Sequence, residues 1–254
     1  MKRSLVSGYA LISCMVGCTG TAYLILWMAG LQHSVMTRPG FKRVLPRLRR
    51  TGKTAATELQ AVPSLLYIHG FLSSPASGKA MQVRDWIAAH RPPVQYLCPF
   101  LTPYFDETRT VLESCVQSRL PDKVWLMGSS LGGYWATWLA EKYDLRAVLI
   151  NPLVKTRRLR EEGLGVELKN YHTDDVYVLD ERHMKVLEEA DTPVIRQPDN
   201  YWLLLQTGDE VLDYRLAVRK YAACRQLVEE GGDHGFQGFE RHIPAAVTFL
   251  EGSN

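Results

Sequence analysis

The chain has 254 residues, of which 46% are hydrophobic and 22% are charged, values typical of a globular protein with one sizeable domain and an appendage. Its net charge of +3 is unevenly distributed, because residues 1–60 carry nine Lys or Arg and only one acid, whereas the rest is mildly acidic. The composition therefore gives no support for nucleic-acid binding by the body. It divides the chain into a basic N-terminal extension, residues 1–60, and a body, residues 61–254.

The extension contains an uncharged segment long enough to cross a membrane. Residues 9–31 are mostly apolar, with two basic residues before them and seven after, and about 20 apolar residues suffice for a membrane-spanning helix. The positive-inside rule then predicts a cytoplasmic body, with residues 9–31 as a candidate anchor to the inner face of the membrane. Three alternatives remain open: a secretory signal, a lipobox at Leu11–Cys14, and a translation start at Met36 or later.

The cysteines show no spacing that would indicate disulfides or a metal centre. They are Cys14, Cys18, Cys98, Cys115 and Cys224. Two of them lie in apolar runs of the body, where a reduced cysteine acts as a small hydrophobic residue, and no Cys/His cluster has the spacing of metal ligands. The cysteine pattern therefore predicts a reduced, metal-free, intracellular body. No motif in the sequence predicts a cofactor or an obligate protein partner.

Apolar, β-rich runs alternate with helix-period segments from residue 63 onward. The predicted strands are Ser64–Ile68, Val94–Pro99, Lys123–Met127, Ala147–Ile150, Tyr201–Gln206 and Arg225–Glu229. The predicted helices are 78–90, 106–119, 131–142, 181–189, 213–222 and 242–251. Continuously apolar strands are typical of a parallel sheet buried on both faces, and the alternation of strand and helix predicts a three-layer α/β/α sandwich.

A G-x-S-x-G sequence, residues 128–132, joins a predicted strand to a helix with one apolar face. In that context the motif predicts a nucleophile elbow, because a tight turn needs small residues around the nucleophile and the helix N-terminus favours developing negative charge. Ser130 occupies the central position and is the candidate nucleophile. Ser129 is the competing serine, and a Gly/Ser-rich turn without chemistry is the structural alternative.

A candidate acid follows the strand predicted to end at Gln206. The acids there are Asp209, Glu210 and Asp213, and the third member of a hydrolase triad lies just beyond a strand's carboxyl end. Asp209 is closest to the strand and is the first choice. Asp213 could instead cap the following helix, and Glu210 is the third option.

A candidate base lies in a glycine-flanked loop after the last predicted strand. His234 has two glycines before it, at 231 and 232, and one directly after it, which free the loop to bring the imidazole to the nucleophile. The chain order Ser130, Asp209, His234 is that of the α/β-hydrolase fold. The three signals together are much more specific than any one alone.

The loop after the first predicted strand contains His69, Gly70 and Phe71. In this fold that loop supplies one amide of the oxyanion hole, and the residue after the nucleophile supplies the other. We therefore predict the backbone amides of Phe71 and Leu131 as the oxyanion hole. For His69, support of the loop is favoured over a role as catalytic base.

Residues 152–200 are too long for a simple crossover and predict a small lid that ends in helix 181–189. The segment carries four basic residues: Lys155, Arg157, Arg158 and Arg160. They could receive a phosphate-bearing acyl carrier such as coenzyme A, although a solvated charged face is favoured. Three aromatic residues that either line an acyl pocket or pack in the core are Phe100, Tyr104 and Phe105.

Five segments of the body resemble the small bacterial YqiA/YcfP-type esterases of the α/β-hydrolase superfamily, and the YqiA branch most closely. They are LLYIHGFLSSPASGKA (65–80), GSSLGGYWATWLA (128–140), NPLV (151–154), LQTGDEVLDYRLAV (205–218) and GGDHGFQGFE (231–240). The similarity spans about residues 63–251 and leaves residues 1–62 outside.

The resemblance implies a minimal α/β-hydrolase fold with a mostly parallel sheet and a short lid. It implies hydrolysis of short-chain carboxylic esters or acyl thioesters such as acyl-CoA through an acyl-enzyme, with Ser130, Asp209 and His234 as the triad. The expected partner is a small-molecule ester or thioester. An acyltransferase using the same triad and a non-catalytic, partner-binding relative are the alternatives.

Overall fold

The computed structural model describes residues 62–91 and 93–252. The strands, in chain order, are β1 (Ser64–Ile68), β2 (Gln95–Leu97), β3 (Val124–Ser129), β4 (Arg146–Ile150), β5 (Glu167–Lys169), β6 (Val176–Val178), β7 (Tyr201–Gln206) and β8 (Arg225–Glu229). The helices are α1 (Gly78–His90), α2 (Phe105–Gln117), α3 (Leu131–Tyr143), α4 (Arg157–Gly163), α5 (Glu181–Glu189), α6 (Tyr214–Lys220) and α7 (Ile243–Glu251).

Six strands form one parallel sheet in the order β2-β1-β3-β4-β7-β8. Successive side chains of a strand point to opposite faces. Leu126 and Leu149 therefore pack in one buried cluster with α2, α3, α5 and α6, whereas Met127 and Val148 pack in a second cluster with α1 and α7. Helices cover both faces, and the predicted three-layer sandwich is confirmed.

The predicted elements differ from the observed ones mainly at their ends. Three strands, β1, β7 and β8, have the predicted bounds. The strand predicted at Val94–Pro99 shortens to Gln95–Leu97, because it is an edge strand that pairs only with β1 over three residues. The helix predicted over 213–222 begins one residue later, at Tyr214, because the Asp213 side chain caps it by accepting from the Arg215 amide.

The predicted lid, residues 152–200, contains more structure than the sequence pattern indicated. Besides α5 it holds the short helix α4 and an antiparallel hairpin formed by β5 and β6. Both hairpin strands have three residues, and only Leu168 and Tyr177 at their centres are shielded from solvent. Elements this short carry too few apolar positions to be recognised by periodicity.

The basic extension, residues 1–60, lies outside the described residues, and so does its candidate anchor, residues 9–31. Within residues 62–91 and 93–252, none of the helices combines the length and the apolar character that crossing a bilayer would demand.

We expect Gly132→Ala to lower the free energy of unfolding by about 1–3 kcal/mol. The first turn of α3 packs directly on the end of β1, and a Cβ on Gly132 would overlap the Ile68 carbonyl group. Urea denaturation of the two proteins measures the difference. Gly78→Ala is the matched control, because a Cβ there meets no atom within 4 Å. Equal stability losses in both variants would contradict the prediction.

Candidate active site

Ser130 lies in the sharp turn between β3 and α3. Its φ of 56° and ψ of −123° are strained for a residue with a side chain. The turn is possible because a Cβ on Gly128 would collide with the Gly132 backbone, so the residues two positions either side of the serine have to be small. This is the backbone geometry of a nucleophile elbow. Ser129 remains buried at the end of β3.

The structure brings the three predicted triad residues together. The Nε2 atom of His234 lies 3.0 Å from the Ser130 Oγ. The other ring nitrogen, Nδ1, lies 2.9 Å and 3.0 Å from the two carboxylate oxygens of Asp209. The Asp209 side chain is 1% exposed and that of His234 is 23% exposed, so the acid is shielded while the imidazole reaches the surface of the site.

Asp209 is held in place by the backbone that follows it. Its Oδ1 accepts hydrogen bonds from the amides of Val211 (2.9 Å) and Leu212 (2.8 Å). These bonds fix the plane of the carboxylate. An anionic acceptor at this position orients the imidazole with its proton on Nδ1, which leaves Nε2 free to accept the serine proton.

The two competing acids lie elsewhere. Asp213 caps α6 and pairs with the Arg215 guanidinium at 2.7 Å, as the capping alternative predicted. The Glu210 carboxylate accepts from the backbone amide of His234 at 3.1 Å and does not contact its ring. Neither acid is placed to orient the imidazole.

Two buried amide side chains position the loop that carries His234. Asn151, directly after β4, donates through Nδ2 to the carbonyls of Asp233 (3.0 Å) and His234 (3.2 Å), and its Oδ1 accepts from the Gln206 amide at 3.0 Å. The Gln206 Oε1 accepts from the amides of Asp233 (3.2 Å) and Gln237 (2.8 Å). Neither Asn151 nor Gln206 belongs to a motif that would predict this role. The one signal in the sequence is a polar residue at the carboxyl end of a buried strand.

An ion-pair network continues from Gln206 to the end of β8. Gln206 donates through Nε2 to Glu229 Oε2 at 3.0 Å, and the same oxygen accepts from Arg241 at 2.6 Å. The His242 Nε2 lies 3.0 Å from the other Glu229 oxygen. Hydrogen bonding to Arg241 in the first place, and then to Gln206, lowers the pKa of Glu229 from 4.5 to about 2.

The two predicted oxyanion donors lie beside the nucleophile. Phe71 and Leu131 both line a cavity together with Ser130. Within the described part of the chain, neither backbone amide donates a hydrogen bond to another protein group. The Leu131 amide belongs to the first residue of α3, where helix amides lack an internal partner. Both N–H groups beside Ser130 therefore lack a protein partner within the described residues.

His69 supports the loops around the site. Its Nδ1 donates to the Gly70 carbonyl at 2.9 Å, and its Nε2 accepts from the Leu101 amide at 3.1 Å. The side chain is buried, and this burial lowers its pKa. The neutral imidazole thus connects the loop after β1 to the loop after β2, as the supporting role predicted.

Two cavities meet at Ser130. The first, the leucine cavity, has a volume of about 280 Å³. Its apolar residues come from the lid and adjoining loops and include Leu72, Leu131, Leu153, Leu159, Leu168 and Leu212. The second, the lysine cavity, has a volume of about 320 Å³. It contains His234 and is lined by Ser73, Ser77, Lys79 and Ser129, among others.

The three aromatic residues considered for an acyl pocket line neither cavity. Phe105 is buried in the core, Phe100 is exposed, and Tyr104 stacks on His183 of α5 with ring centroids 4.7 Å apart. This stacking contact packs helix α5 of the lid against the residue that precedes α2. The apolar lining of the leucine cavity comes mainly from leucines, together with Phe71 and Val211.

The basic residues of the lid are largely paired with acids. The pairs are Arg157–Glu161, Arg158–Glu162, Arg160–Glu181 and Arg160–Glu188. All lie at the surface and contribute little stability. Because their charges are compensated locally, Arg157 and Arg160 fit the favoured prediction of a solvated charged face, whereas Arg158 also lines the leucine cavity.

No group of three or more His, Cys, Asp or Glu side chains within residues 62–91 and 93–252 could hold a metal ion. The cysteines of that part of the chain, Cys98, Cys115 and Cys224, are free thiols. Burial raises the pKa of Cys98 and of Cys224 to about 11. Thiols with raised pKa values are poor nucleophiles and poor metal ligands.

The family model of the uncharacterised protein family UPF0227 matches residues 64–251. The chain belongs to this family. The match extends from the first residue of β1 to the last residue of α7 and includes Ser130, Asp209 and His234. It confirms the resemblance to the YqiA-type proteins.

Several solved structures share the fold. Est1E from Butyrivibrio proteoclasticus is 16% identical, with 77% of this chain and 90% of that chain covered and a TM-score of 0.55. Alpha/beta hydrolase domain-containing protein 10 from mouse is 16% identical, with 75% and 90% covered and a TM-score of 0.56. A monoacylglycerol lipase from Paleococcus ferrophilus is 16% identical, with 75% and 95% covered and a TM-score of 0.55. The chain thus has the α/β-hydrolase fold.

We expect Glu229→Gln to destabilise the protein at neutral pH by on the order of 1 kcal/mol, a value reduced by solvent screening. Because folding lowers the pKa of Glu229 to about 2, the stabilisation is complete above about pH 4.5 and is lost as the pH falls towards 2. Urea denaturation should therefore show that the difference in free energy of unfolding between wild type and Glu229→Gln becomes smaller as the pH falls from 7 to 3. The control is Glu230→Gln, which removes a charge from an exposed neighbour. A constant difference across that range would contradict the expectation.

Proposed function

We propose that the chain is a serine hydrolase that cleaves carboxylic esters through an acyl-enzyme on Ser130. The observation that carries this proposal is the continuous hydrogen-bonded series from the Asp209 carboxylate through His234 to the Ser130 hydroxyl. The strained backbone at Ser130 and the two free amides beside it add to the support. The names of the structural neighbours, an esterase and a lipase among them, point in the same direction.

In the first half of the reaction His234 Nε2 takes the proton of the Ser130 hydroxyl as the oxygen attacks the acyl carbon. The carbonyl oxygen becomes an oxyanion that accepts from the amides of Phe71 and Leu131. Asp209 stabilises the imidazolium and keeps its orientation. Collapse of this intermediate breaks the bond to the leaving oxygen, which receives the proton from His234.

In the second half a water molecule attacks the acyl-enzyme. His234 Nε2 takes a proton from this water, the same two amides bind the oxyanion, and the bond between Ser130 and the acyl carbon breaks. Ser130 regains its proton and the carboxylic acid leaves. Every proton transfer occurs at Nε2, which lies 3.0 Å from the serine oxygen.

Thioesters, including acyl-CoA, are a second substrate class for the same steps, because attack on the carbonyl carbon is the same with sulfur as leaving atom. An acyltransferase would differ only in the acceptor that replaces water. Assays with acyl-CoA, and product analysis with added alcohols or thiols, separate these activities from ester hydrolysis.

We expect Ser130→Ala to lower kcat for p-nitrophenyl butyrate on the order of 10⁴-fold or more, because it removes the nucleophile and leaves only binding and the oxyanion hole. Rates of p-nitrophenol release by the full-length wild type and variant test this. Ser118→Ala, an exposed serine after α2, is the control and should be as active as the wild type.

Labelling with a fluorophosphonate, which reacts with activated serines, distinguishes Ser130 from its neighbour Ser129. Mass spectrometry should find the adduct on Ser130 in the wild type and in Ser129→Ala, and no adduct in Ser130→Ala. An adduct on Ser129, or equal turnover by wild type and Ser130→Ala, would refute the proposed nucleophile.

The leucine cavity predicts an acyl chain of limited length. Its volume of about 280 Å³ and its mainly apolar lining fit an acyl chain that ends within the cavity. We expect Leu159→Trp, which fills this cavity, to reduce kcat/KM for p-nitrophenyl octanoate about tenfold more than for the acetate. Val194→Trp adds the same ring at an exposed position and should leave the chain-length profile unchanged. A parallel loss on both esters in Leu159→Trp would contradict this assignment.

A further inference from the structure

The two cavities at Ser130 have different positions relative to His234, and this difference assigns them to different halves of an ester. This inference rests on the proposed function. The leaving oxygen receives its proton from His234 Nε2, so the alcohol half must lie on the His234 side of the scissile bond. His234 and Gly235 line the lysine cavity and not the leucine cavity. The alcohol half therefore occupies the lysine cavity, and the acyl half occupies the leucine cavity.

Lys79 gives the lysine cavity a positive charge. It is the only Lys or Arg among the described residues that line this cavity, and no Asp or Glu lines it. The remaining polar lining includes serine hydroxyls, the side chains of Tyr67 and Tyr171, and the His234 imidazole. The Lys79 ammonium donates one hydrogen bond, to the Gly235 carbonyl at 2.7 Å. An ammonium group has three donors, so two remain for a bound group.

The position of Lys79 is unfavourable for the helix that carries it. Lys79 is the second residue of α1, a helix with no acid in its first turn. A cation there opposes the helix macrodipole, whereas an acid would be stabilised. Burial lowers the pKa of Lys79, while Asp233 and Asp209 favour its charged form from a distance. Both carboxylates have other partners, Gln237 and His234 respectively, so neither neutralises Lys79 by direct contact.

We propose that Lys79 selects esters whose leaving alcohol carries an oxyanion, either a carboxylate or a phosphate, which the ammonium group binds in the lysine cavity. The covalent steps stay as described: the bond between the acyl carbon and Ser130 Oγ forms, the ester C–O bond breaks, and the serine proton passes through His234 to the leaving oxygen. The products are a hydroxyl compound that bears the anion and, after hydrolysis of the acyl-enzyme, a carboxylic acid. Lys79 acts as a specificity-determining residue.

Three butyrate esters test the proposal with one acyl group. They are 4-butyryloxybenzoate, 4-butyryloxyphenyl phosphate and the neutral methyl 4-butyryloxybenzoate. The wild-type full chain should show a kcat/KM at least about tenfold higher for one of the anionic esters than for the neutral one, mainly through KM, as a charge-assisted hydrogen bond predicts. The ester with the larger preference distinguishes carboxylate from phosphate. Equal kcat/KM for all three in the wild type would overturn the proposal.

Lys79→Gln removes the charge but keeps a donor that can reach the Gly235 carbonyl. It should abolish the preference for the anionic ester, and Lys79→Arg should retain it. Lys123→Gln is the matched control. This exposed lysine lies directly before β3, whereas Ser130 follows the other end of that strand. If Lys79→Gln lowers turnover of all three esters by the same factor, Lys79 only positions the His234 loop through Gly235 and the proposal is wrong.

A binding measurement separates this proposal from the function of the triad. Calorimetric titration with 4-hydroxybenzoate and 4-hydroxyphenyl phosphate, the leaving groups themselves, requires no turnover and can be done on Ser130→Ala. One of them should bind, and about tenfold more weakly when Lys79→Gln is added. Absence of Ser130-dependent hydrolysis of the neutral ester would refute the proposed function, whereas failure of both anions to bind would refute the role of Lys79 alone.

Discussion

The packing of the first turn of α3 on the end of β1 determines the geometry of the candidate site. Because Gly132 has no side chain, its backbone can lie directly against the Ile68 carbonyl. This approach places the Leu131 amide next to the loop after β1, which supplies the Phe71 amide, and it forces Ser130 into its strained turn. One close backbone contact thus fixes the positions of Ser130 and the Leu131 amide, and the His69 side chain supports the loop that carries the Phe71 amide.

The histidine is positioned by a different principle. Its loop has no regular secondary structure. Two buried side-chain amides form hydrogen bonds with the loop backbone: Asn151 after β4 and Gln206 at the end of β7. Buried polar groups of this kind are stabilising only when all their hydrogen bonds are made, and here both amides use their oxygen and their nitrogen. The position of Ser130 is therefore set by backbone packing, whereas the position of His234 is set by hydrogen bonds from side chains of the sheet.

The sequence predicted the parallel sheet and the grouping of Ser130, Asp209 and His234 because both depend on local patterns. Strand–elbow–helix, an acid after one strand and a glycine-flanked histidine after the next are each visible within about ten residues, and parallel strands bring their carboxyl ends to one edge. The polar residue after β4 was visible in the sequence, but the partners of Asn151 were not predictable, since Asp233 and His234 are 82 and 83 residues away. The short hairpin of the lid was not predicted for another reason. It shields only Leu168 and Tyr177 from solvent, which is too few apolar positions for a strand pattern.

The glycines before His234 allow its loop to pack closely on the end of β7. They do not make the loop flexible, since Gly232, with a φ of 72°, lies so close to Gln206 that a Cβ would overlap its side chain. The loop is instead closed over the end of β7. Its opening would break the bonds of Gln206 to Asp233 and Gln237, so the loop belongs to the same cooperative unit as the sheet. The hydrogen bonds that hold the His234 loop should therefore be lost together with the sheet and not before it.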